Sequence, residues 1–237
     1  MNSPNPYESA EFRAVCGEAL RPGGLSLTAE SLELSGFPAG GRILDIGCGL
    51  GASLSLLAEK GFAGIGLDSS EALLAEAGKR GEAVVNGDMH ALPWSDGWFD
   101  GALCECVLSL SDNKPEVLSE CSRVLKPGSR LIVSDVFACG PEPDRPPEPV
   151  GGHCLRGAVG LDQFVSMLSA AGFTVLHRRD HSRALRELAA QLVWKCGSAK
   201  ILEKLWGGPA ESKNQGGAVQ AKRLAYYLLV AEKGGGL

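Results

Sequence analysis

A chain of 237 residues with 44% hydrophobic content can bury one large core, or a core domain with a small cap. The formal net charge is −5 and no run of Lys or Arg stands out, so we expect no nucleic-acid partner, whose phosphates need clustered cations. The polar N-terminus is not a targeting segment and no apolar run reaches the roughly 20 residues of a membrane helix, which predicts a cytoplasmic protein without a membrane partner.

The chain begins with an arm, residues 1–24, in which we expect a helix over Glu8 to Leu20. A second helix is predicted from about Thr28 to Ser35, capped by Ser26 or Thr28. From residue 42 onward, short apolar segments alternate with amphipathic ones, which predicts a parallel sheet covered by helices on both faces. The predicted strands are 42–46, 63–67, 83–85, 99–104, 129–135, 173–178 and 222–232, and the predicted helices between them are 52–60, 71–80, 114–125, 162–171 (capped by Asp162) and 183–206.

Three glycines at alternate positions, Gly47, Gly49 and Gly51, separate the first strand from its helix. Glycine in such a turn allows unusual backbone angles and lets a ligand approach bare main chain. Asp45 in the strand can meet a cationic group of that ligand. An ordinary strand-to-helix turn without a ligand remains an alternative, because a lone glycine motif is weak evidence.

A dinucleotide is the first ligand to consider. The pattern from Gly47 to Ala52 fits the dinucleotide motif, and Asp68 lies 23 residues after Asp45, where an acidic ribose ligand is expected. This predicts an NAD-dependent oxidoreductase as the alternative function. Against it, Asp45 puts a negative charge where a pyrophosphate would bind, and a further acidic turn with Asp88 ends the third strand.

The ordered segments LDIGCGLG, NGDMHALPWSDGWFD and RVLKPGSRLIVSD resemble the class I S-adenosylmethionine-dependent methyltransferases. They are most similar to the small-molecule branch that includes ubiquinone-biosynthesis and arsenite methyltransferases, and the likeness covers about residues 42–136. It implies an α/β fold with a Rossmann-like doubly wound seven-stranded sheet, in which the last strand is antiparallel. It also implies S-adenosyl-L-methionine as cofactor, S-adenosyl-L-homocysteine as product, and methyl transfer to a small molecule by in-line displacement.

The same resemblance assigns roles to the matching positions. Gly47, Gly49 and the Cys48 backbone face the methionine moiety, and Asp45 lies near its ammonium group. Asp68 accepts from both ribose hydroxyls. Asp88 accepts from the adenine amino group, the Met89 amide bonds a ring nitrogen, and Leu67 and Ser69 line the slot. Glu105 contacts the methionine end or the acceptor.

The acceptor side is expected at the carboxyl ends of the strands, since ligands of open α/β sheets bind there. The irregular segment 138–160 and a helical insert between the sixth and seventh strands, 181–221, emerge at this edge and form a cap with the arm over a single domain. The polar candidates for catalysis are Tyr7, Glu105, His153 and His181. Alignment and exclusion of water can drive much of a methyl transfer, so a dedicated base is not required.

The eight cysteines show no CxxC pair, so we expect neither a disulfide framework nor a metal site, and most should be small buried hydrophobes. Four of them follow the fourth or fifth strand and are candidates for a thiophilic acceptor: Cys104, Cys106, Cys139 and Cys154. Such an acceptor fits thiolate chemistry, although the full cysteine pattern of arsenite methyltransferases is missing. A further alternative is a protein that binds S-adenosylmethionine without catalysis. The oligomeric state and the acceptor atom are left open.

Overall fold

In a computed structural model of the protein, which describes residues 6–9, 13–14, 16–139, 157–196 and 223–235, seven strands form one sheet. The strands are β1 (Arg42–Ile46), β2 (Ala63–Asp68), β3 (Val84–Asn86), β4 (Phe99–Glu105), β5 (Leu125–Cys139), β6 (Phe173–Asp180) and β7 (Arg223–Lys233). Their order is β3-β2-β1-β4-β5-β7-β6, and β7 is antiparallel to both of its neighbours. The predicted doubly wound sheet with an antiparallel last strand is confirmed.

Helices cover both faces of this sheet because successive strand residues point to opposite sides. The helices are α1 (Gly24–Ser35), α2 (Ala52–Glu59), α3 (Glu71–Lys79), α4 (Lys114–Val124), α5 (Leu161–Ala170) and α6 (Ser182–Cys196), with 3₁₀ helices at Pro6–Glu8 and Leu108–Leu110. Ile43 belongs to the core cluster that includes residues of α1, α2 and α6, whereas Leu44 belongs to the cluster that includes residues of α4 and α5. No helix in the described ranges is long and apolar enough to cross a membrane.

Two predicted helix starts are wrong for the same physical reason. Helix α1 begins at Gly24 after Gly23, without a side-chain cap, and Thr28 lies fully buried inside it. Helix α5 begins at Leu161 after Gly160, so Asp162 is in the first turn rather than at the cap. In both cases the backbone turns into the helix without the side-chain hydrogen bond that the sequence suggested.

The remaining boundaries differ from prediction by smaller amounts. Strand β5 already pairs with β4 at Leu125, and it bulges before Arg130, where Gly128 takes a positive φ of 76°. The predicted turn at this position is therefore a bulge within the strand. The helix predicted for 183–206 is described as Ser182–Cys196, and its remainder, like part of the predicted helix over 8–20, falls outside the described residues.

The strand order reverses between β1 and β4, so their carboxyl ends flank the crevice where ligands of open α/β sheets bind. A third apolar cluster lies beside the glycine turn that follows β1. It joins Leu20 of the arm, Leu50, Leu73 of α3, and Leu188 and Leu192 of α6. The arm and α6 therefore pack together next to the crevice.

Candidate cofactor site

The glycine turn after β1 is bonded to the end of β2. The amide groups of Gly47 and Cys48 both donate to the Leu67 carbonyl, with N–O distances of 2.7 and 3.1 Å. Gly47 has a φ of 75°, and a Cβ built there would lie 2.5 Å from Cγ2 of Val107, which follows β4. Glycine is required here both by the backbone angle and by the close approach of the segment after β4.

The Asp68 carboxylate, at the end of β2, links the glycine turn to α3. Oδ2 accepts from the Gly49 amide and Oδ1 accepts from the Ser70 amide, each at 2.9 Å. A carboxylate oxygen has two lone pairs, so both oxygens of the half-buried Asp68 can still accept from a ligand hydroxyl. Ser70 caps α3 by accepting from the Leu73 amide, at 3.2 Å, which fixes the position of this corner.

Asp45 lies within β1, two residues before Gly47, and is only 3% exposed. Burial raises the pKa of this carboxyl to about 8; the negative charges of Glu105 and Asp68 add to the rise, and the Arg21 guanidinium opposes it. An acid in this state favours the approach of a cation, because a nearby positive charge stabilises its ionised form.

Glu105, the last residue of β4, forms a buried ion pair with Arg21 of the arm. Arg21 Nη2 and Glu105 Oε2 are 2.8 Å apart, and the two side chains are 8% and 2% exposed. The hydroxyls of Thr28 and Ser53 accept from the guanidinium and donate to the carboxylate, the latter at 3.1 and 2.9 Å. Arg21 Nε is buried and has no hydrogen-bond partner in the described part of the chain. The network thus keeps one spare N–H donor.

Asp88 follows β3 in a turn whose carboxylate is held by His90. Oδ1 accepts from the His90 amide at 2.9 Å and lies 2.7 Å from the ring atom Nδ1. The backbone amide of His90, followed by its ring, lowers the pKa of Asp88, whose side chain is 66% exposed. Beside this turn Met89 is half-buried against the core, Leu67 is buried and Ser69 is exposed. An accessible, ionised acceptor therefore stands next to an apolar surface.

The three catalytic candidates that the structure describes have different surroundings. Glu105 is ion-paired with Arg21 and accepts from the hydroxyls of Thr28 and Ser53, so its carboxylate is engaged within the protein. Tyr7 packs against the apolar cluster of Leu20 and Leu50. His181 lies between β6 and α6, with Nε2 3.4 Å from Glu30 Oε1 in a geometry that makes no hydrogen bond. His153 falls outside the described residues.

The cysteines divide between the core and the edge of the sheet. Cys48, Cys104 and Cys121 are buried; burial raises the pKa of Cys121 to about 12 and holds the pKa of Cys104 well above its usual range. Cys104 packs in the core, so its expected position near the acceptor is wrong. Cys16 and Cys106 are half-buried and Cys139 is exposed, and these six cysteines form no disulfide in the described part of the chain. Cys154 falls outside the described residues.

Sequence reasoning missed four residues of this site. Arg21 stands in a Pro-Gly turn motif, Thr28 was a candidate helix cap, and Ser53 looks like an ordinary helix residue. Only contacts between separate elements, such as Thr28 to Glu105 across 77 positions, reveal their network. His90 lies in the segment NGDMHALPWSDGWFD, two residues after Asp88. That short spacing is the one local indication that the two side chains could interact.

Comparison with known proteins identifies the family. A family model for methyltransferase domains matches residues 44–133. The chain is 30% identical to an O-methyltransferase of Pyrenophora dematioidea over 225 residues, which cover 87% of this chain and 80% of that protein. It is 40% identical to an arsenite methyltransferase of Aquipseudomonas alcaligenes over 89 residues, but these cover 37% of this chain and only 26% of the relative.

Among solved structures, the [4+2]-cyclase SpnF is similar at a TM-score of 0.68 and 25% identity, over 89% of this chain and 81% of the cyclase. The sheet order and the carboxylates around the glycine turn define a Rossmann-like nucleotide-cofactor protein. More narrowly, the chain belongs to the class I S-adenosylmethionine-dependent methyltransferases. The NAD-dependent alternative is not favoured by these relatives.

Proposed function

We propose that this protein transfers the methyl group of S-adenosylmethionine to a small-molecule acceptor and releases S-adenosylhomocysteine. The observation that carries the proposal is the arrangement of three carboxylates, Asp45, Asp68 and Asp88, at the carboxyl ends of the adjacent strands β1, β2 and β3. Ligands of open α/β sheets bind at this edge. Three acceptors spread along one edge suit an elongated ligand with donors at its two ends and in its middle.

In the proposed complex, the nucleoside end of the cofactor lies between β2 and β3. Asp68 accepts from the two ribose hydroxyls through the lone pairs that its bonds to Gly49 and Ser70 leave free. Asp88 accepts from the adenine amino group, and the Met89 amide donates to a ring nitrogen. Leu67, Met89 and Ser69 line the slot for the base.

The amino-acid end of the cofactor lies at Gly47, Cys48 and Gly49, in the proposed complex, beside a mixed-charge cluster. Asp45 binds the ammonium group, since its carboxyl needs a cation to ionise fully at neutral pH. The Arg21 guanidinium, which is close enough to Asp45 to oppose the rise of its pKa, is the proposed partner of the cofactor carboxylate. Glu105 acts indirectly in this proposal, by holding the Arg21 guanidinium in place.

The cofactor supplies a methyl group activated by its attachment to a positively charged sulfur. The protein contributes alignment of the acceptor for in-line attack and exclusion of water, two effects that need no general base. Tyr7, His153 and His181 remain candidates for contacts to the acceptor, and each is proposed on its position in the cap alone. Glu105 is the weakest candidate for proton transfer, because it is already ion-paired.

We further propose that the chain is one methyltransferase domain in which residues 1–24, 138–160 and 181–221 cap the acceptor side. Supporting contacts come from the described parts of the first and third of these segments. Leu20 lies 3.7 Å from a Cβ built on Gly49, and Leu188 and Leu192 of α6 pack in the same cluster. The six cysteines that form no disulfide in the described residues, and a sequence without Lys or Arg runs, support a small-molecule enzyme of a reducing compartment such as the cytoplasm.

The test is calorimetric titration of the protein with S-adenosylhomocysteine and NADH, followed by a screen of small-molecule hydroxyl, amine and thiol acceptors for release of S-adenosylhomocysteine. Binding of S-adenosylhomocysteine together with turnover of an acceptor supports the proposal. Binding without turnover of any acceptor points to a cofactor-binding protein that does not transfer methyl groups.

A further inference from the structure

His90 joins two elements of the site that the strand order alone does not connect. Its Nδ1 is 2.7 Å from Asp88 Oδ1, and its Nε2 is 2.8 Å from the Ser111 hydroxyl, which follows the 3₁₀ helix Leu108–Leu110. The imidazole therefore bridges the turn after β3 and the segment after β4. Its side chain is 27% exposed, so the ring is partly accessible while both nitrogens are engaged.

The hydrogen-bond pattern determines which ring nitrogen carries the proton. Ser111 Oγ accepts from the Asn113 amide at 3.0 Å, so its own proton is available to His90 Nε2. The Asp88 carboxylate can only accept, so Nδ1 carries a proton and donates to Oδ1. In this arrangement the ring donates to the carboxylate through Nδ1.

Ser111, the partner of His90 Nε2, is itself held in place by neighbouring residues. Ser111 is 2% exposed and follows the 3₁₀ helix that Asp135 of β5 holds. Asp135 accepts from the Ser109 amide at 2.8 Å and from the Ser109 hydroxyl at 2.6 Å, and it is 1% exposed. The buried Asp135 carboxylate thus holds the segment that carries Ser111, and Ser111 in turn holds the His90 imidazole.

We propose that His90 is a positioning residue that aims Asp88 at the exocyclic amino group of the cofactor's adenine. The inference rests on the proposed function, in which Asp88 binds that amino group. The His90 amide and ring both donate to Oδ1 and occupy its two lone pairs, which leaves Oδ2 for the ligand. Without the ring, Asp88, which is 66% exposed, can rotate away into solvent.

Two ligands separate this role from a general effect on the turn: S-adenosylhomocysteine and its analogue in which purine, lacking only the amino group, replaces adenine. The wild-type protein should bind the purine analogue roughly tenfold more weakly, the effect of losing one hydrogen bond to a charged group. In His90→Ala the ratio of the two dissociation constants, purine analogue to S-adenosylhomocysteine, should fall to about threefold or less. The fall should come from weaker binding of S-adenosylhomocysteine alone.

Two conservative variants identify the nitrogen responsible. His90→Asn places an amide N–H near the position of Nδ1 and should keep the wild-type ratio, whereas His90→Gln reaches towards Ser111 and should behave like His90→Ala. His177→Ala, which removes an exposed imidazole of β6, is the matched control and should change the dissociation constant of neither ligand. If His90→Ala does not fold, the comparison of the Asn and Gln variants still shows whether a donor at the position of Nδ1 is required.

The inference is overturned if His90→Ala weakens both ligands by the same factor, because that is the result of a merely structural role. It is also overturned if the variant binds both ligands as the wild type does, an outcome that leaves the proposed function intact. Failure of the wild-type protein to bind S-adenosylhomocysteine at all would instead overturn the proposed function, and this inference with it.

Discussion

Cofactor binding by this protein should release a proton from Asp45. The free protein holds this carboxyl with a pKa of about 8 because it is buried and faces Glu105 and Asp68, with only the Arg21 guanidinium opposing. The ammonium group of the cofactor, placed beside it, favours the ionised form and lowers the pKa in the complex. Below pH 8 the free protein carries the proton and the complex does not, so the proton is lost on binding.

The sign and size of the effect follow from this linkage. Because the complex binds fewer protons than the free protein, affinity for S-adenosylhomocysteine rises with pH and levels off above the free-protein pKa of about 8. If the pKa in the complex lies well below the range studied, affinity should increase about 15-fold between about pH 6.5 and pH 8. Nearly one proton should be released per ligand at the lower pH.

Titration calorimetry in buffers of low and high ionisation enthalpy, phosphate and Tris, measures the released protons directly. Asp45→Asn is the matched control, since it keeps the shape of the side chain, cannot ionise, and should show pH-independent affinity over this range. Tight binding of S-adenosylhomocysteine to the wild type with a flat pH profile and no proton release would refute the assignment of Asp45 to the ammonium group.

Two further predictions concern the architecture around the crevice. Arg21→Gln leaves Glu105 buried and unpaired and should lower the free energy of unfolding in urea by about 3–5 kcal/mol; the control Arg80→Gln, which breaks an exposed pair with Glu18, should cost at most about 1 kcal/mol. Equal losses in the two variants would contradict the buried network. Gly47→Ala should cost roughly 2–4 kcal/mol in the same assay, because it combines a positive φ with a clash against Val107. Adding Val107→Ala should recover the packing part of that loss, and no recovery would mean that the clash is absent.

The parts of the site that sequence predicted are those governed by local rules. Asp45, Asp68 and Asp88 each lie at the carboxyl end of a short apolar strand, and parallel strands bring such ends to one edge. The alternation of strands and helices therefore located these carboxylates without any knowledge of long-range contacts.

The parts that sequence did not predict depend on contacts distant along the chain. Thr28 was expected to cap a helix, yet it is buried one turn inside α1 and bonds Glu105, which is 77 positions away. Arg21 was part of a turn signal, and its partner was itself expected to face a ligand. A buried ion pair between an arm and a strand end leaves no periodic pattern, because neither residue repeats along its element.

The central claim is that the glycine turn and its carboxylates bind S-adenosylmethionine and its product rather than a dinucleotide. Titration of the wild type and of Asp68→Ala with S-adenosylhomocysteine and NADH tests it most directly, with Asp96→Ala, an exposed carboxylate before β4, as control. We predict one S-adenosylhomocysteine bound per chain, at least about tenfold weaker binding in Asp68→Ala from the loss of two charge-assisted hydrogen bonds, and no change in the control. Binding of NADH by a protein that binds neither S-adenosylmethionine nor S-adenosylhomocysteine would contradict the claim.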